Sequence, residues 1–196
     1  MARKERRVKE LAERKRRKKL GGAAGSEDYA WMAGLLPRGG VAGAACVLEV
    51  GTSRDGTAAL TERGWRVVPA ETGAVLAQGE FTGEPVDAVT CWLLDLRAAR
   101  PEVVEKLRAM GLRTPEEHRL AVQTLVYRLA DRVLRPGGVL QVVDRMLEPF
   151  GESLATGMMR LQRAQAKGTR LEFASIDARP DQGGALVSVR SRKSDA

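Results

Sequence analysis

The stretch Val47–Leu60, VLEVGTSRDGTAAL, decides the fold. It opens on an apolar run suited to a buried strand. Two glycines five apart follow, Gly51 and Gly56, and then residues that can start a helix. A strand that turns tightly into a helix presents unpaired backbone N–H groups and the positive end of a dipole. Such a turn favours an anionic or polar ligand. Glu49 stands two residues before Gly51, inside an otherwise apolar strand end. A carboxylate there is costly unless something pairs with it.

Several chemistries share this shape, and the residues separate them. A phosphate-binding P-loop needs a lysine after its last glycine, whereas Thr57 and Ala58 follow Gly56. A nucleophile elbow needs G-x-S-x-G, and Gly51-Thr52-Ser53-Arg54-Asp55 lacks its last glycine. The only histidine, His118, falls in the first turn of a predicted helix, where a surface position is expected. A dinucleotide fingerprint, G-x-G-x-x-G, fits Gly51, Ser53 and Gly56 with one substitution. Glu71 lies 20 residues beyond Gly51, where a ribose acceptor belongs.

Outward from this stretch, apolar runs alternate with helical patterns. Helices are predicted around Asp28 to Leu36 and Thr57 to Arg63. Another begins at Pro101 and ends at Gly111, and one is capped by Thr114 with Glu117 three residues on. RPGG stops that last helix, and a further helix covers Glu152 to Ala166. Strands are expected at Ala45 to Val50 and in GWRVVPA, VDAVTCWLLDL, VLQVV, LEFASIDA and ALVSVRS. The alternation implies a mostly parallel sheet with helices on both faces. The last two strands lack a helix between them and should pair antiparallel.

The stretch VLEVGTSRDG resembles motif I of class I S-adenosylmethionine-dependent methyltransferases, [DE]-x-G-x-G-x-G. GWRVVPAE resembles the family's second strand with its closing acidic residue, and VDAVTCWLLDL its fourth strand with the preceding Asp87. ADRVLRPGGVLQVVD is similar to its helix, L-x-P-G-G and fifth-strand segment, the most specific of these matches. The resemblance covers roughly residues 30–193. It implies a Rossmann-like α/β fold ending in an antiparallel strand pair, and S-adenosylmethionine as cofactor. Carried over, Glu49 would sit near the methionine end of the cofactor. Gly51, Ser53, Asp55 and Gly56 would form the turn beside it, and Glu71 would accept from both ribose hydroxyls. Trp92 and Asp95 would orient the acceptor. The motif's second glycine is Ser53, and its third position is Asp55, with Gly56 one residue on. Only 15 residues separate Glu71 from Asp87, too few for the usual helix and third strand. A β-hairpin turning at Thr72-Gly73 is expected instead, with Glu80 as a candidate for the adenine end. Methyl transfer in this family is positioning chemistry, so neither a metal nor a covalent intermediate is called for.

The charge is unevenly placed. Residues 1–20 hold 11 Lys/Arg and 3 Glu, a net of +8, and the net charge of the whole chain is also +8. The chain therefore reads as a neutral globule carrying a basic arm. The reading divides it into an arm over 1–22, a methyltransferase-like domain over 23–193 and a tail over 194–196. The arm is rich in good helix formers but polar almost all round, so its helix would be marginal alone. Arg3, Lys4, Arg6, Arg7, Arg14, Lys15, Arg16, Arg17, Lys18 and Lys19 suit a polyanion, RNA or the ribosome, with steeply salt-dependent binding. The arm lacks aromatics for stacking on bases, which argues against sequence-specific reading. A catalytically inactive protein of the same fold that binds RNA or the ribosome as a structural component is the alternative to an enzyme. No apolar run is long enough to span a membrane, and no leader pattern precedes the domain. Cys46 and Cys91 lie in apolar runs and read as buried thiols, which points to a reducing, cytoplasmic compartment.

Overall fold

The computed structural model describes residues 25–36, 45–51, 53–76, 83–93, 101–181 and 184–195. The arm over 1–22, Glu80 and Asp95 lie outside the described residues.

In chain order the elements are α1 (Ser26–Leu35), β1 (Cys46–Val50), α2 (Arg54–Glu62), β2 (Arg66–Ala70), α3 (Thr72–Leu76) and β3 (Val86–Trp92). They continue with α4 (Pro101–Ala109), α5 (Pro115–Val133), β4 (Leu134–Met146), α6 (Glu152–Gln165), β5 (Leu171–Asp181) and β6 (Gly184–Lys193). The strands form one sheet in the order β2-β1-β3-β4-β6-β5. Strands β2, β1, β3 and β4 run parallel. Strand β6 pairs antiparallel with β4 on one side and β5 on the other. This is the Rossmann-like α/β sheet with an antiparallel ending that the alternation of patterns predicts.

Period-two alternation sorts the strand residues between two faces. Cys46, Leu48 and Val50 of β1 join a core with Val103 and Leu107 of α4 and Val122, Val126 and Ala130 of α5. Val47 joins a second core on the opposite face, with Met32 and Ala33 of α1 and Ala59 and Leu60 of α2. Helix α6 brings Met158 onto Ala185, Val187 and Val189 of β6. Both cysteines are free and buried, as their apolar surroundings suggest.

The start of the sheet is tied by Asp87. Its Oδ2 accepts the Cys46 N–H at 2.8 Å, and its Oδ1 lies 3.2 Å from Arg135 NH1. Gly138 lets the strands close here: a Cβ on it would lie 2.8 Å from the Arg135 carbonyl and 3.1 Å from that of Asp87. The RPGG segment is thus where the first residues of β4 close against β3. The helix does stop before it, at Val133, but strand β4 begins at Leu134 and runs through the segment. Gly137 supplies the left-handed bend, at φ 73°.

Two expectations are corrected. No hairpin forms at Thr72-Gly73; α3 begins there, and its Val75 enters the core. His118 is not on the surface. It is 6% exposed, and its Nε2 lies 3.0 Å from the Leu112 carbonyl. The capping box of Thr114 and Glu117 starts α5 as expected, but the turn before it folds back over the imidazole.

Beneath α1 lies Gln141, fully buried in the middle of β4. Its Oε1 accepts the Trp92 indole N–H at 3.1 Å, and its Nε2 donates to the Met32 carbonyl and to Ser188 Oγ, each at 3.1 Å. One amide therefore joins β3, β6 and α1. Replacing it strands an indole N–H, a hydroxyl and a carbonyl in the core. Gln141→Leu is expected to lower unfolding stability by about 2–4 kcal/mol in urea titration. A loss below about 0.5 kcal/mol would show that the amide does not tie these elements together.

Candidate active site

The strand order reverses at one point of the sheet. From β1 the chain passes to β2 on one side, while β3 lies on the other side of β1. Ligands of open α/β sheets bind outside the carboxyl ends of strands at such a reversal. Gly51 stands at the tip of β1, with φ 76°, a conformation that side chains rarely adopt. Its N–H donates to the Ala70 carbonyl at 3.1 Å, the residue immediately before Glu71. Parallel register puts Glu49 opposite Pro69 on one side and Thr90 on the other. Glu49, Gly51 and Glu71 therefore gather at one edge of the sheet, at the ends of adjacent strands. Glu71 is exposed there.

Glu49 is 2% exposed, on the face covered by α1 and α2. Its partner is the start of α2. The Thr57 hydroxyl donates to Oε2 at 2.6 Å, and the Ser53 N–H donates to Oε1 at 3.5 Å. Burial pushes the carboxyl pKa above the usual range, and the bonds from Thr57 and Ser53 oppose that shift. The negative form gains from the helix N-terminus it faces.

Ser53 is the N-cap of α2, and its hydroxyl accepts the Gly56 N–H at 2.9 Å. Asp55 is exposed in the first turn. Gly56 is buried, and a methyl group on it would lie 2.5 Å from Glu49 Oε1 and 2.7 Å from Ser53 Oγ. This glycine makes room for protein: its missing side chain lets the Glu49 carboxylate and the cap come together.

Trp92, at the end of β3, is 5% exposed and holds Gln141 through its indole N–H. Tyr29 of α1 lies beside it, with ring centroids 6.3 Å apart. The same tyrosine approaches Gly56, whose added Cβ would be 3.4 Å from Tyr29 Cδ1. Tyr29 thus spans the gap between the glycine turn and the end of β3. The sequence reading missed it, as it missed Thr57. Nothing in spacing marks Tyr29, which is brought in by the packing of α1 across the sheet. Thr57 had a signal: it sits one turn inside a helix that follows a buried carboxylate.

Helix α1 is held at this edge by charge. Asp28 lies 3.8 Å from Arg145 NH2, at the end of β4, and 3.5 Å from Arg179 NH2, on β5. Arg190 of β6 also pairs with Asp177 at 2.9 Å, and its NH1 donates to the Leu35 carbonyl. On the other face, Asp144 accepts from Gln123 Nε2 at 2.7 Å and lies 3.5 Å from Arg119 NH1. Among the described residues no group of three or more His, Cys, Asp or Glu has the arrangement of a metal site.

No family model matches this sequence, and no curated protein matches it. Solved structures resemble it in shape at low identity. One is a Burkholderia thailandensis 1,6-didemethyltoxoflavin N1-methyltransferase bound to S-adenosylhomocysteine. It is 19% identical, with a TM-score of 0.44, over 78% of this chain and 72% of that one. Another is a 16S rRNA adenine methyltransferase variant with its cosubstrate SAM, from Catenulisporales acidiphilia. It is 10% identical, with a TM-score of 0.43, over 89% of this chain and 93% of that one. A third, NodS, is an N-methyltransferase from Bradyrhizobium japonicum with S-adenosylhomocysteine. It is 12% identical, with a TM-score of 0.40, over 76% and 78% of the two chains. Similarity at this level assigns neither substrate nor activity. The strand order, the reversal at β1 and the antiparallel ending establish the fold. This chain has a Rossmann-like α/β fold that ends in an antiparallel strand pair, with no strand between β2 and β3 among the described residues.

Proposed function

We propose that this protein is an S-adenosylmethionine-dependent methyltransferase whose acceptor is RNA. The observation that carries the reading is the convergence of Glu49, Gly51 and Glu71 at the reversal point of the sheet, with the left-handed bend at Gly51. The residues suit the cofactor. Glu71, exposed at the tip of β2, would accept from the ribose hydroxyls through charge-assisted bonds. Gly51 would let the backbone approach, and Ser53 and Asp55 line the following helix start. Glu49 would face the cationic methionine end while Thr57 and Ser53 keep it oriented.

When bound, the cofactor supplies a sulfonium methyl group open to in-line attack. The protein's task is to hold acceptor and donor in line and to exclude water. Tyr29, beside the buried Trp92, is placed to do this at the end of β3. Asp95, three residues on, is a candidate to orient the acceptor. The arm over residues 1–22 supports RNA as the acceptor, because its net positive charge would concentrate a phosphate backbone near the domain.

Calorimetric titration of S-adenosylmethionine tests the donor. Micromolar affinity is expected, with loss of binding in Glu71→Ala. No heat at millimolar ligand, with RNA still bound, would instead identify an RNA-binding structural protein built on the same fold.

The raised pKa of Glu49 has a sign that can be checked. Its carboxyl protonates at a higher pH than an ordinary glutamate, so attraction for a cationic ligand weakens as pH falls through that raised value. Cofactor affinity is therefore expected to fall on acidification by up to about tenfold per pH unit. Glu49→Gln should bind more weakly at neutral pH and lose this dependence. A wild-type profile flat between neutral pH and about pH 4.5, the ordinary carboxylate range, would remove Glu49 from the binding site.

Deletion of residues 1–20 is expected to abolish most of the salt-sensitive RNA affinity while moving the melting temperature little. Equal affinity of the truncated and full chains at low salt would rule the arm out as the principal RNA contact.

A further inference from the structure

We propose that the outward surface of α5 and α6 is a second RNA-backbone contact, on the globule itself and distinct from the N-terminal arm. Five cations stand there: Arg128 and Arg132 on α5, and Arg160, Arg163 and Lys167 on and just beyond α6. All five are exposed. None has an ion pair or a side-chain hydrogen-bond partner among the described residues. Cations elsewhere on the surface are often compensated, as in the pairs Arg66–Glu84, Arg108–Glu105 and Arg135–Asp87.

The five residues form one surface. Arg128 and Arg132 are four apart and share a face of α5. Asp131, toward the edge of that face, accepts from Arg170 Nε at 3.0 Å, directly before β5. Both helices pack on the same side of the sheet, α5 over Val142 of β4 and α6 over its partner Val189 of β6, so their outward surfaces face the same solvent. The two helices touch through Gln165 and Gln123, whose side chains are 3.4 Å apart. Gln162 and Gln165 point inward on α6, which leaves Arg160, Arg163 and Lys167 on its outer side. Two basic ridges result, and the nearby carboxylate of Asp131 is already paired with Arg170.

Helix dipoles do not account for this charge. Basic residues gather in the last turn of a helix for that reason, and Arg132 and Arg163 are so placed. Arg128 and Arg160 lie before the last turn, and Lys167 lies beyond the helix. Nor does the overall composition account for it, since residues 21–196 hold equal numbers of basic and acidic residues, 22 of each. The surplus on this surface is offset elsewhere, so charge is segregated across the domain. Ridges of arginine without aromatics suit a phosphate backbone rather than bases. The inference rests on the RNA reading above but not on methyl-donor binding.

The test uses the full chain and an unstructured poly(U) oligonucleotide, titrated between about 50 and 200 mM salt. Five glutamines replace Arg128, Arg132, Arg160, Arg163 and Lys167, which preserves helix propensity. A control variant replaces Arg63, Lys106 and Arg113, exposed cations on other surfaces. The slope of log affinity against log salt should become shallower by up to about 3.5 in the five-residue variant, at about 0.7 for each phosphate no longer neutralised. The control should change little per charge removed, and S-adenosylmethionine titration should be the same in all three proteins. An unchanged slope in the five-residue variant overturns the proposal, as does an equal reduction per charge in the control. Retained RNA binding with weakened affinity for phosphatidylserine vesicles would assign the surface to a membrane and overturn it too. If the full chain does not bind RNA at all, this surface and the RNA reading of the arm fail together.

Discussion

The carboxylate of Glu49 is buried at the end of a central strand, and the start of α2 is what makes that tolerable. An unpaired carboxylate at 2% exposure would protonate or pull the strand apart. Instead the Thr57 hydroxyl and the Ser53 N–H meet it. The consequence runs in both directions along the chain. Helix α2 must begin where its first turn can reach the strand, so the connection is short and Gly51 takes a left-handed bend. Gly56 must lack a side chain, since a Cβ there would occupy the carboxylate's place. A turn that looks from its glycines like a ligand cradle is therefore first a device for holding one strand to one helix. The geometry of the sheet reversal follows from that device. The ends of β1 and β2 are held level, and Glu71 emerges at the rim beside Gly51.

The fold was legible because its signals are local and repeat. Apolar runs of strand length, the cap at Thr114 and the breaks at RPGG each mark one boundary, and their alternation leaves few topologies. The antiparallel ending was legible from the missing helix between the last two runs. His118 was misplaced because its environment comes from the turn at Leu112, which folds back from the chain before the helix. The helix at Thr72 defeated the expected hairpin for a similar reason. A glycine after a polar residue suits a turn locally, but Val75 has a core position waiting for it against α4.

The site was legible only in part. Glu49, Gly51 and Glu71 could be placed together because parallel strands bring their carboxyl ends to one edge. What surrounds them comes from α1, which has no sequence spacing in common with the glycine turn. Tyr29 meets Trp92 and Gly56 because Asp28 is held by Arg145 and Arg179, and because Gln141 holds the Met32 carbonyl. Gln141 did carry a signal. A glutamine inside the apolar run VLQVV has to find partners in the core, and it finds three.

The distribution of charge sharpens what an acceptor must be. Carboxylates at helix starts put Asp55, Glu116, Glu117 and Glu152 toward the same edge of the sheet as Glu71. Arg54, Arg113, Arg145 and Arg179 stand at that edge as well, so it carries both signs. The described part of the chain begins at Gly25, directly before α1, whose first turn is held beside Arg145 and Arg179 at the ends of β4 and β5. The arm's last lysine, Lys19, is six residues before Gly25 and cannot be more than about 22 Å from it even with the chain fully extended. Connectivity alone keeps Lys19 near the start of α1. The proposed RNA acceptor draws on the arm's charge in this way, since each cation held close to a phosphate backbone releases counterions.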